Sequence, residues 1–193
     1  ANQYFLYYSP EQAEAVTMSG QLSIRWIEKD INTFINDLLK TGETDYVIAS
    51  DTDSIYITFD KLVNEVWGEG ADTEKVIAFL DKMCKDKIEP YIDESYKDLH
   101  AYVNSYEQKM VMKRESIADK GIWTAKKRYI LNVYDSEGVR YKEPKLKIMG
   151  IESVRSSTPQ WCRVNIQALI KTIIATDEKT VIKAIEDYRK VFK

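Results

Sequence analysis

Apolar positions along the first 40 residues recur three and four residues apart, which is the spacing of one face of an α-helix. Ser9-Pro10 precedes this run, and a serine cap followed by proline is a common helix start, with Gln12 at the capping-box position. The pattern predicts one long helix that ends near Gly42. Its buried stripe is predicted to contain Trp26, Ile27, Ile31, Phe34, Ile35 and Leu38.

Two apolar, β-prone runs follow, separated by a short polar segment that contains two aspartates. Residues 46–50 and 54–57 are typical of paired strands, so the segment between them is predicted to be a hairpin turn. Mg²⁺ prefers hard oxygen ligands and is usually held by one or two carboxylates plus phosphate oxygens. Asp51 and Asp53 are therefore candidate ligands in half of a phosphoryl-transfer metal site. An ordinary Asp-rich turn is the alternative, because Asp is favoured in turns.

Helical spacing returns in the middle of the chain, and strands follow it. A short helix is predicted over 60–67, and a second long helix follows a loop at 68–72, with Pro90 marking a kink or a new start. Strands are predicted at 110–112, 128–134 and 139–141, and helices run from Thr158-Pro159 to about 175 and from 177 onward. The predicted fold class is α+β, with an antiparallel sheet and helices packed on one face.

The composition is that of a globular protein without membrane spans. The chain has 193 residues, of which 44% are hydrophobic and 31% are charged, and no apolar stretch approaches the roughly 20 residues of a membrane helix. The N-terminus lacks a signal-peptide pattern, so we expect a cytoplasmic location. Cys84 and Cys162 lack metal-site spacing and are expected to be buried thiols, and His100 is expected to be structural or exposed.

Charge is unevenly distributed along the chain. The segment from Lys109 to Lys147 contains eleven Lys and Arg against five Asp and Glu, a net charge of +6, although the whole chain carries −3. A basic segment of this kind would bind a polymer of phosphates, while the acidic remainder stays in solvent. The alternative is an ordinary solvated face with unpatterned charges.

The Asp-Thr-Asp-Ser turn at residues 51–54, placed between two apolar strands, resembles motif C of the family B DNA polymerases. Further blocks resemble the palm of the tailed-bacteriophage replicative members of that family, in the same order and at compatible spacing. These blocks are residues 5–8, 20–21, 26–28, 126–129, 143–150 and 156–159. The resemblance covers nearly the whole chain and implies a palm over residues 1–155 and the start of a helical thumb over 156–193.

The resemblance also implies roles for particular residues near the active site. Asp53, and more weakly Asp51, would hold two Mg²⁺ ions together with a motif A aspartate, and Thr52 is a weak candidate for nucleotide contact. Glu115 is a weak candidate for a further metal carboxylate, on a strand that this fold places near motif C. Implied substrates are primer-template DNA and a deoxynucleoside triphosphate.

Contacts to DNA are implied for a second group of residues. Lys127 and Tyr129 match the Lys-x-Tyr of the family, which touches the primer strand near its 3′ end, and Lys126 and Arg128 add positive charge. Because alternate residues of a strand lie on opposite faces, we expect Lys127 and Tyr129 to point the same way and Arg128 the opposite way, so that only one pair can line the groove. The duplex behind the active site would be held by Lys145, Lys147, Gly150 and Ser156.

The sequence departs from the family pattern in two respects. The residue before Asp51 is commonly Gly after an aromatic residue, whereas here the pair is Ala49-Ser50, which adds a hydroxymethyl group near the primer end. In addition, Ala1-Asn2-Gln3-Tyr4 follows the point where the finger helix should end, and motifs A and B are absent. We therefore expect a partial polymerase that is inactive without a separate segment carrying motifs A and B.

Two other functions are open on the sequence alone. One is a non-catalytic DNA-binding module that keeps the palm-like fold. The other is a palm-like nucleotidyl transferase of another kind, such as a cyclase-type fold, which also places carboxylates on an antiparallel sheet. The Lys-x-Tyr block favours a polymerase over the second alternative, and the two intact aspartates favour catalysis over the first.

Overall fold

The computed structural model of the chain describes Tyr4, residues 6–68 and residues 70–192. Ala1-Asn2-Gln3, at the predicted end of the finger helix, and Phe5, in the first block of the resemblance, lie outside the described residues. The chain divides into two compact units, Ala1–Arg114 and Glu115–Lys193. We refer to them as the N-terminal unit and the C-terminal unit.

The N-terminal unit consists mainly of helices and contains one small hairpin. Its sheet has two antiparallel strands, and its two longest helices pack against each other. The short helix predicted over 60–67 is confirmed at both ends. The elements are α1 (Pro10–Leu39), β1 (Val47–Asp51), β2 (Ser54–Ile57), α2 (Asp60–Trp67), α3 (Thr73–Met83), a π-helical turn (Cys84–Ile88) and α4 (Glu89–Val103).

The predicted start and apolar stripe of α1 are confirmed. The Ser9 hydroxyl accepts a hydrogen bond from the Gln12 backbone N–H at 3.2 Å, and proline occupies the first turn. Leu38 is an exception in the stripe, because it is exposed near the end of the helix. The stripe forms one core with β1 and α4 that contains Ile27, Ile31, Ile35, Tyr46, Val47, Ile88, Ile92, Tyr96 and Leu99.

Pro90 lies in the first turn of α4, but the predicted new start is not observed, because Met83, Ile88 and Glu89 all have helical backbone angles and the chain stays helical from α3 into α4. Pro90, which has no N–H, lies just after the π-helical turn, in which the Glu89 N–H donates to the Cys84 carbonyl five residues earlier. The π-helical turn before it carries the Cys84 thiol, whose pKa burial raises to about 11. His100, near the end of α4, lies close to the Ser105 hydroxyl and is half-buried.

The C-terminal unit contains a three-stranded antiparallel sheet followed by two helices. Strand β4 lies between β3 and β5, and its side chains are buried from Tyr129 to Val133. Helix α5 packs against α6 and against a short 3₁₀ turn. The elements are β3 (Ser116–Ala125), β4 (Arg128–Ser136), β5 (Val139–Met149), the 3₁₀ turn (Glu152–Val154), α5 (Gln160–Ala175) and α6 (Glu178–Phe192).

The predicted α+β class is confirmed, with two small antiparallel sheets. The strand predicted at 110–112 is wrong, because the Gln108 side chain bonds both the N–H and the carbonyl of Met110 in place of a neighbouring strand. Strand β3 was not predicted, since its charged Asp119-Lys120 pair and Gly121 divide its apolar residues, and its pairing with β4 is interrupted by register shifts. Helix α5 begins with Pro159 at the N-cap and without a side-chain cap from Thr158. Within the described part of the chain, no helix is long and apolar enough to cross a membrane.

Candidate metal and nucleic-acid site

The two aspartates lie at the tip of the β1–β2 hairpin, as the sequence predicts. Asp51 pairs with Ser54 as the last residue pair, so Thr52 and Asp53 form a two-residue turn. The turn is tight, because the Asp53 N–H donates to the Asp51 carbonyl at 2.5 Å. Thr52 has a φ of 49°, which is an unusual value for a β-branched residue.

Hydrogen bonds from neighbouring hydroxyl groups order the Asp51 side of the tip. The Thr52 hydroxyl donates to Asp51 Oδ1 at 3.0 Å, and the Ser54 hydroxyl donates to the Asp51 carbonyl at 3.2 Å. Asp51 is half-buried, whereas Asp53 is exposed at the end of the hairpin. The Asp53 carboxylate is therefore the more accessible of the two to an incoming ligand.

Ser50, which precedes Asp51, contacts helix α1. Its hydroxyl donates to Glu28 Oε2 at 3.3 Å. Because successive side chains on a strand leave opposite faces, the Ser50 side chain leaves the face opposite that of Asp51. The hydroxymethyl group is thus directed to a helix of its own unit.

The donor set of the hairpin tip fits part of a magnesium site. Two carboxylates are hard oxygen ligands, and Mg²⁺ usually takes one or two of these and completes its octahedron with water and phosphate oxygens. Among residues 4, 6–68 and 70–192, no group of three His, Cys, Asp or Glu side chains lies close enough to hold a metal. A two-ion site would therefore need carboxylates in addition to Asp51 and Asp53.

The basic block lies on a second hairpin, in the C-terminal unit. Ala125 pairs with Arg128, so Lys126 and Lys127 form the turn between β3 and β4. Both lysines are exposed, and Lys127 has a φ of 61°. The premise that Lys127 lies on the same strand as Tyr129 is therefore wrong, and strand alternation does not determine where the Lys127 side chain points.

Tyr129 and Arg128 occupy the first positions of β4. Tyr129 is only 7% exposed, and its ring lies 6.5 Å from that of Trp123, measured between centroids. Arg128 is paired with Glu152. These two residues are thus part of the packing and ion pairing of the sheet, while Lys126 and Lys127 present their charges to solvent.

Gly150 supports the basic turn from the end of β5. Its φ is 68°, and a methyl group built at Gly150 would overlap the carbonyl oxygen of Lys127 and come within 3.1 Å of Arg128 Cγ. The backbone of Gly150 thus lies close to the turn of its own sheet. The Gly150 carbonyl also accepts from the Arg155 guanidinium at 3.4 Å.

The remaining candidates also lie in the C-terminal unit. Glu115 precedes β3 by one residue, so its expected place on a strand is not observed, and its carboxylate is paired with Lys147. Lys145 lies 4.1 Å from the centroid of the Tyr141 ring, in a cation–π contact. Ser156 is exposed in a turn. Glu115 and Lys147, which were assigned separate roles, therefore neutralise each other.

The two units differ in sign of charge. Residues 1–114 contain twelve Lys and Arg against twenty-one Asp and Glu, a net charge of −9. Residues 115–193 contain sixteen against ten, a net charge of +6. The candidate metal carboxylates Asp51 and Asp53 and the candidate DNA-binding lysines therefore lie in different units, with Glu115 as the exception.

Three polar residues of α1 that the sequence analysis assigned no role contact the segment leading to the acidic tip. They are Glu28, Asn32 and Asn36, each placed one position after a buried isoleucine. Their signal in the sequence is a polar stripe at a spacing of four residues beside the apolar stripe. Polar positions next to a buried stripe are common at the edge of any helix, so the pattern alone does not show a role.

The fold is α+β, with two aspartates at the tip of one hairpin and two exposed lysines at the tip of another. The family model described as divergent family B DNA polymerase matches residues 29–188. The chain belongs to the divergent family B DNA polymerases.

Two curated relatives are similar along the chain. The DNA-directed DNA polymerase of Escherichia phage RB69 is 41% identical over 187 residues, which cover 92% of this chain and 21% of that protein. The DNA-directed DNA polymerase of Enterobacteria phage T4 is 38% identical over 204 residues, covering 100% of this chain and 22% of that protein. The chain spans about a fifth of the length of these relatives.

Proposed function

We propose that this chain supplies the palm carboxylates and a primer-binding surface to a template-directed DNA polymerase, which adds deoxynucleotides to a primer 3′ end. The observation that carries the proposal is the ordered acidic tip, in which Asp51 and Asp53 occupy the end of a hairpin fixed to α1. Membership of the polymerase family supports the reaction class.

In this proposal the residues of the tip have separate tasks. Asp53, exposed at the end of the turn, binds the ions directly, and Asp51 contributes a carboxylate that Thr52 orients. When bound, Mg²⁺ neutralises triphosphate charge, lowers the pKa of the primer 3′-hydroxyl and stabilises the leaving pyrophosphate. Because two carboxylates are too few for two ions, the remaining ligand comes from a motif A aspartate outside these 193 residues.

The DNA-binding role is proposed for the C-terminal unit. Lys126 and Lys127 would contact primer phosphates from the exposed turn, and Lys145 and Ser156 would contact the duplex farther back. Phosphate contacts position a nucleic acid without reading its sequence. We extend the proposal to the domain assignment, with a palm at residues 1–155 and the start of a thumb at 156–193.

Primer extension with a complementing fragment tests the proposal. The purified chain alone should not extend a primer, and addition of a polymerase fragment carrying motifs A and B should restore synthesis. In that mixture Asp53→Asn should reduce extension at least about 10³-fold, since electrostatic stabilisation of the transferring group is lost, while DNA binding is retained. Asp60→Asn, an exposed aspartate in the first turn of α2, is the matched control and should leave extension unchanged.

Two results would contradict the proposal. Full synthesis by the mixture that contains Asp53→Asn would remove this residue from the metal site. DNA binding without any synthesis in the wild-type mixture would favour the non-catalytic module instead. Because phosphate contacts dominate, DNA affinity should fall steeply as salt is raised.

A further inference from the structure

We infer that Glu28, Asn32 and Asn36 of α1 are positioning residues for the acidic tip. The three side chains are four residues apart, so they form one stripe along the helix, which we term the polar ladder. Taken in the order Asn36, Asn32 and Glu28, each member contacts a residue that lies closer in sequence to Asp51 than the one before. This inference rests on the proposed role of Asp51 and Asp53 as metal ligands.

Asn36 is the innermost member of the polar ladder and is buried. Its Nδ2 donates to the Thr44 carbonyl at 2.7 Å, and its Oδ1 accepts from the Thr44 N–H at 2.8 Å. The same oxygen accepts from the Thr41 hydroxyl at 2.9 Å. Asn36 thus holds the loop between α1 and β1 through both the NH₂ group and the oxygen of its side-chain amide.

Asn32, one turn earlier in the helix, holds the start of β1. Its Oδ1 accepts from the backbone N–H groups of Tyr46 at 2.8 Å and Val47 at 3.1 Å, and its Nδ2 donates to Asp45 Oδ1 at 2.9 Å. Tyr46 and Val47 are buried, so their N–H groups need protein partners. A side chain of α1 therefore satisfies backbone groups that a two-stranded sheet leaves unpaired.

Glu28 is the outermost member and lies beside the tip. Its carboxylate accepts from the hydroxyl of Ser50, the residue that precedes Asp51. The adjacent stripe of Ile27, Ile31 and Ile35 packs into the core at 0–1% exposure. The hairpin is thus held to α1 by apolar packing and, one position further around the helix, by hydrogen bonds.

A support of this kind is needed because an isolated two-stranded hairpin is only marginally stable in water. Metal ligands must also be held within about 0.5 Å of their working geometry. The hydrogen bonds within the turn order Asp51 relative to Thr52 and Ser54, but they do not fix the hairpin to the rest of the unit. The polar ladder supplies that link.

Amide exchange of the metal-free chain tests the hold on the tip. In Asn32→Ala, the amides of residues 50–54 should exchange at least tenfold faster than in the wild type. Thr33→Ala is the matched control, because the Thr33 hydroxyl bonds only the Lys29 carbonyl of the same helix. If Asn32→Ala does not fold, Glu28→Ala removes the half-buried outer member alone and should give the same direction of change, with Glu28→Gln retaining most of the protection.

Electron paramagnetic resonance with Mn²⁺ as the probe separates positioning from stability. Asn32→Ala should bind Mn²⁺ about tenfold more weakly than the wild type, at a temperature where both are folded, and Thr33→Ala should bind normally. Unchanged exchange at residues 50–54 in Asn32→Ala, or in Glu28→Ala where that variant replaces it, would overturn the inference, as would faster exchange with unchanged Mn²⁺ affinity. If the wild-type chain alone binds no Mn²⁺, the same affinities are compared in the mixture with the fragment that carries motifs A and B. If that mixture binds no more Mn²⁺ than the fragment alone, the proposed metal role fails, and amide exchange alone decides whether the polar ladder holds the tip.

Discussion

The acidic and the basic hairpins have similar backbones and opposite charges. Each has a two-residue turn between antiparallel strands, and each turn contains one non-glycine residue with positive φ, Thr52 at 49° and Lys127 at 61°. Asp53 is exposed at one tip, and Lys126 and Lys127 are exposed at the other. The charge at the tip therefore does not depend on the shape of the turn.

The two hairpins differ in what supports them. The acidic hairpin is held by side chains of α1, including Asn32, which bonds the backbone of β1. The basic hairpin belongs to a three-stranded sheet, and Gly150 packs against the backbone of its turn. The comparison shows that one tip depends on side-chain chemistry from a separate helix, whereas the other depends on close backbone packing within its sheet.

The largest predicted effect on stability comes from a substitution that disrupts the backbone packing against the basic hairpin. Gly150→Ala should lower the free energy of unfolding of the C-terminal unit by about 3 kcal/mol, because it adds steric overlap with Lys127 to a backbone conformation that favours glycine. Amide exchange in β4 under native conditions measures this value for the C-terminal unit.

Gly138→Ala is the control for the backbone contribution. Gly138 has a φ of 85° and open space around it, so alanine there should cost only about 1 kcal/mol. Equal losses in the two variants would show that the overlap with Lys127 does not matter, and the difference in support between the hairpins would then disappear.

The second prediction concerns the stability that a mostly buried ion pair gives to the N-terminal unit. Arg114 and Asp81 form an ion pair at 2.7 Å, with the two side chains only 8% and 20% exposed, whereas Arg128 and Glu152 of the C-terminal unit are 37% and 48% exposed. Asp81→Asn should therefore lower the free energy of unfolding of the N-terminal unit by about 2 kcal/mol at pH 7. Amide exchange in α4 measures it.

The effect of Asp81→Asn should depend on pH. The hydrogen bond from Lys85 lowers the pKa of Asp81, burial opposes this, and the hydrogen bond and charge of Arg114 lower it further. A pKa below the unfolded value of about 3.9 means that the carboxylate stabilises the fold above that pH and loses this effect as pH falls through the folded pKa. The difference between Asp81→Asn and wild type should shrink below about pH 4.

Lys85→Gln is the comparison for Asp81→Asn, because it removes only the exposed partner of Asp81. The Lys85 side chain is 57% exposed, so its ion pair with Asp81 should contribute less than about 0.5 kcal/mol. A larger loss in Lys85→Gln than in Asp81→Asn would show that the pairing with Arg114 is not the main stabilising contact.

The sequence predicted elements whose signals are local. The start of α1, the acidic hairpin and α2 follow from capping residues, alternation and helical spacing, which act within a few residues. Strand β3 was missed because its Asp119-Lys120-Gly121 segment is polar, and it forms a strand through pairing with β4. The place of Lys127 in a turn was missed, because it was assumed to lie on the same strand as Tyr129.

The candidate site shows the same limit. Asp51 and Asp53 could be identified from the turn and its resemblance to motif C, since both depend on adjacent residues. Asn32 and Asn36 could not, because their role depends on which backbone groups α1 meets after folding. The pairing of Glu115 with Lys147 joins residues 32 positions apart and has no local signal.

The last prediction, of a small gain in stability, sharpens the comparison between the two turns. Thr52→Gly should raise the free energy of unfolding of the N-terminal unit by about 0.5–1 kcal/mol, because glycine adopts positive φ without strain and β-branched threonine does not. Lys127→Gly in the other turn should give a smaller gain, since lysine is not branched at Cβ. Thermal unfolding of each variant, followed by amide exchange in each unit, measures both.

The two outcomes for Thr52 have different meanings. A loss of stability in Thr52→Gly would show that the hydrogen bond from its hydroxyl to Asp51 outweighs the strain of its backbone. A gain in stability accompanied by weaker Mn²⁺ binding would show that the strained residue orients the Asp51 carboxylate at a cost to the fold. In that case the acidic tip keeps an unfavourable residue for its chemistry, whereas Lys127 should be replaceable by glycine with no loss beyond its own charge.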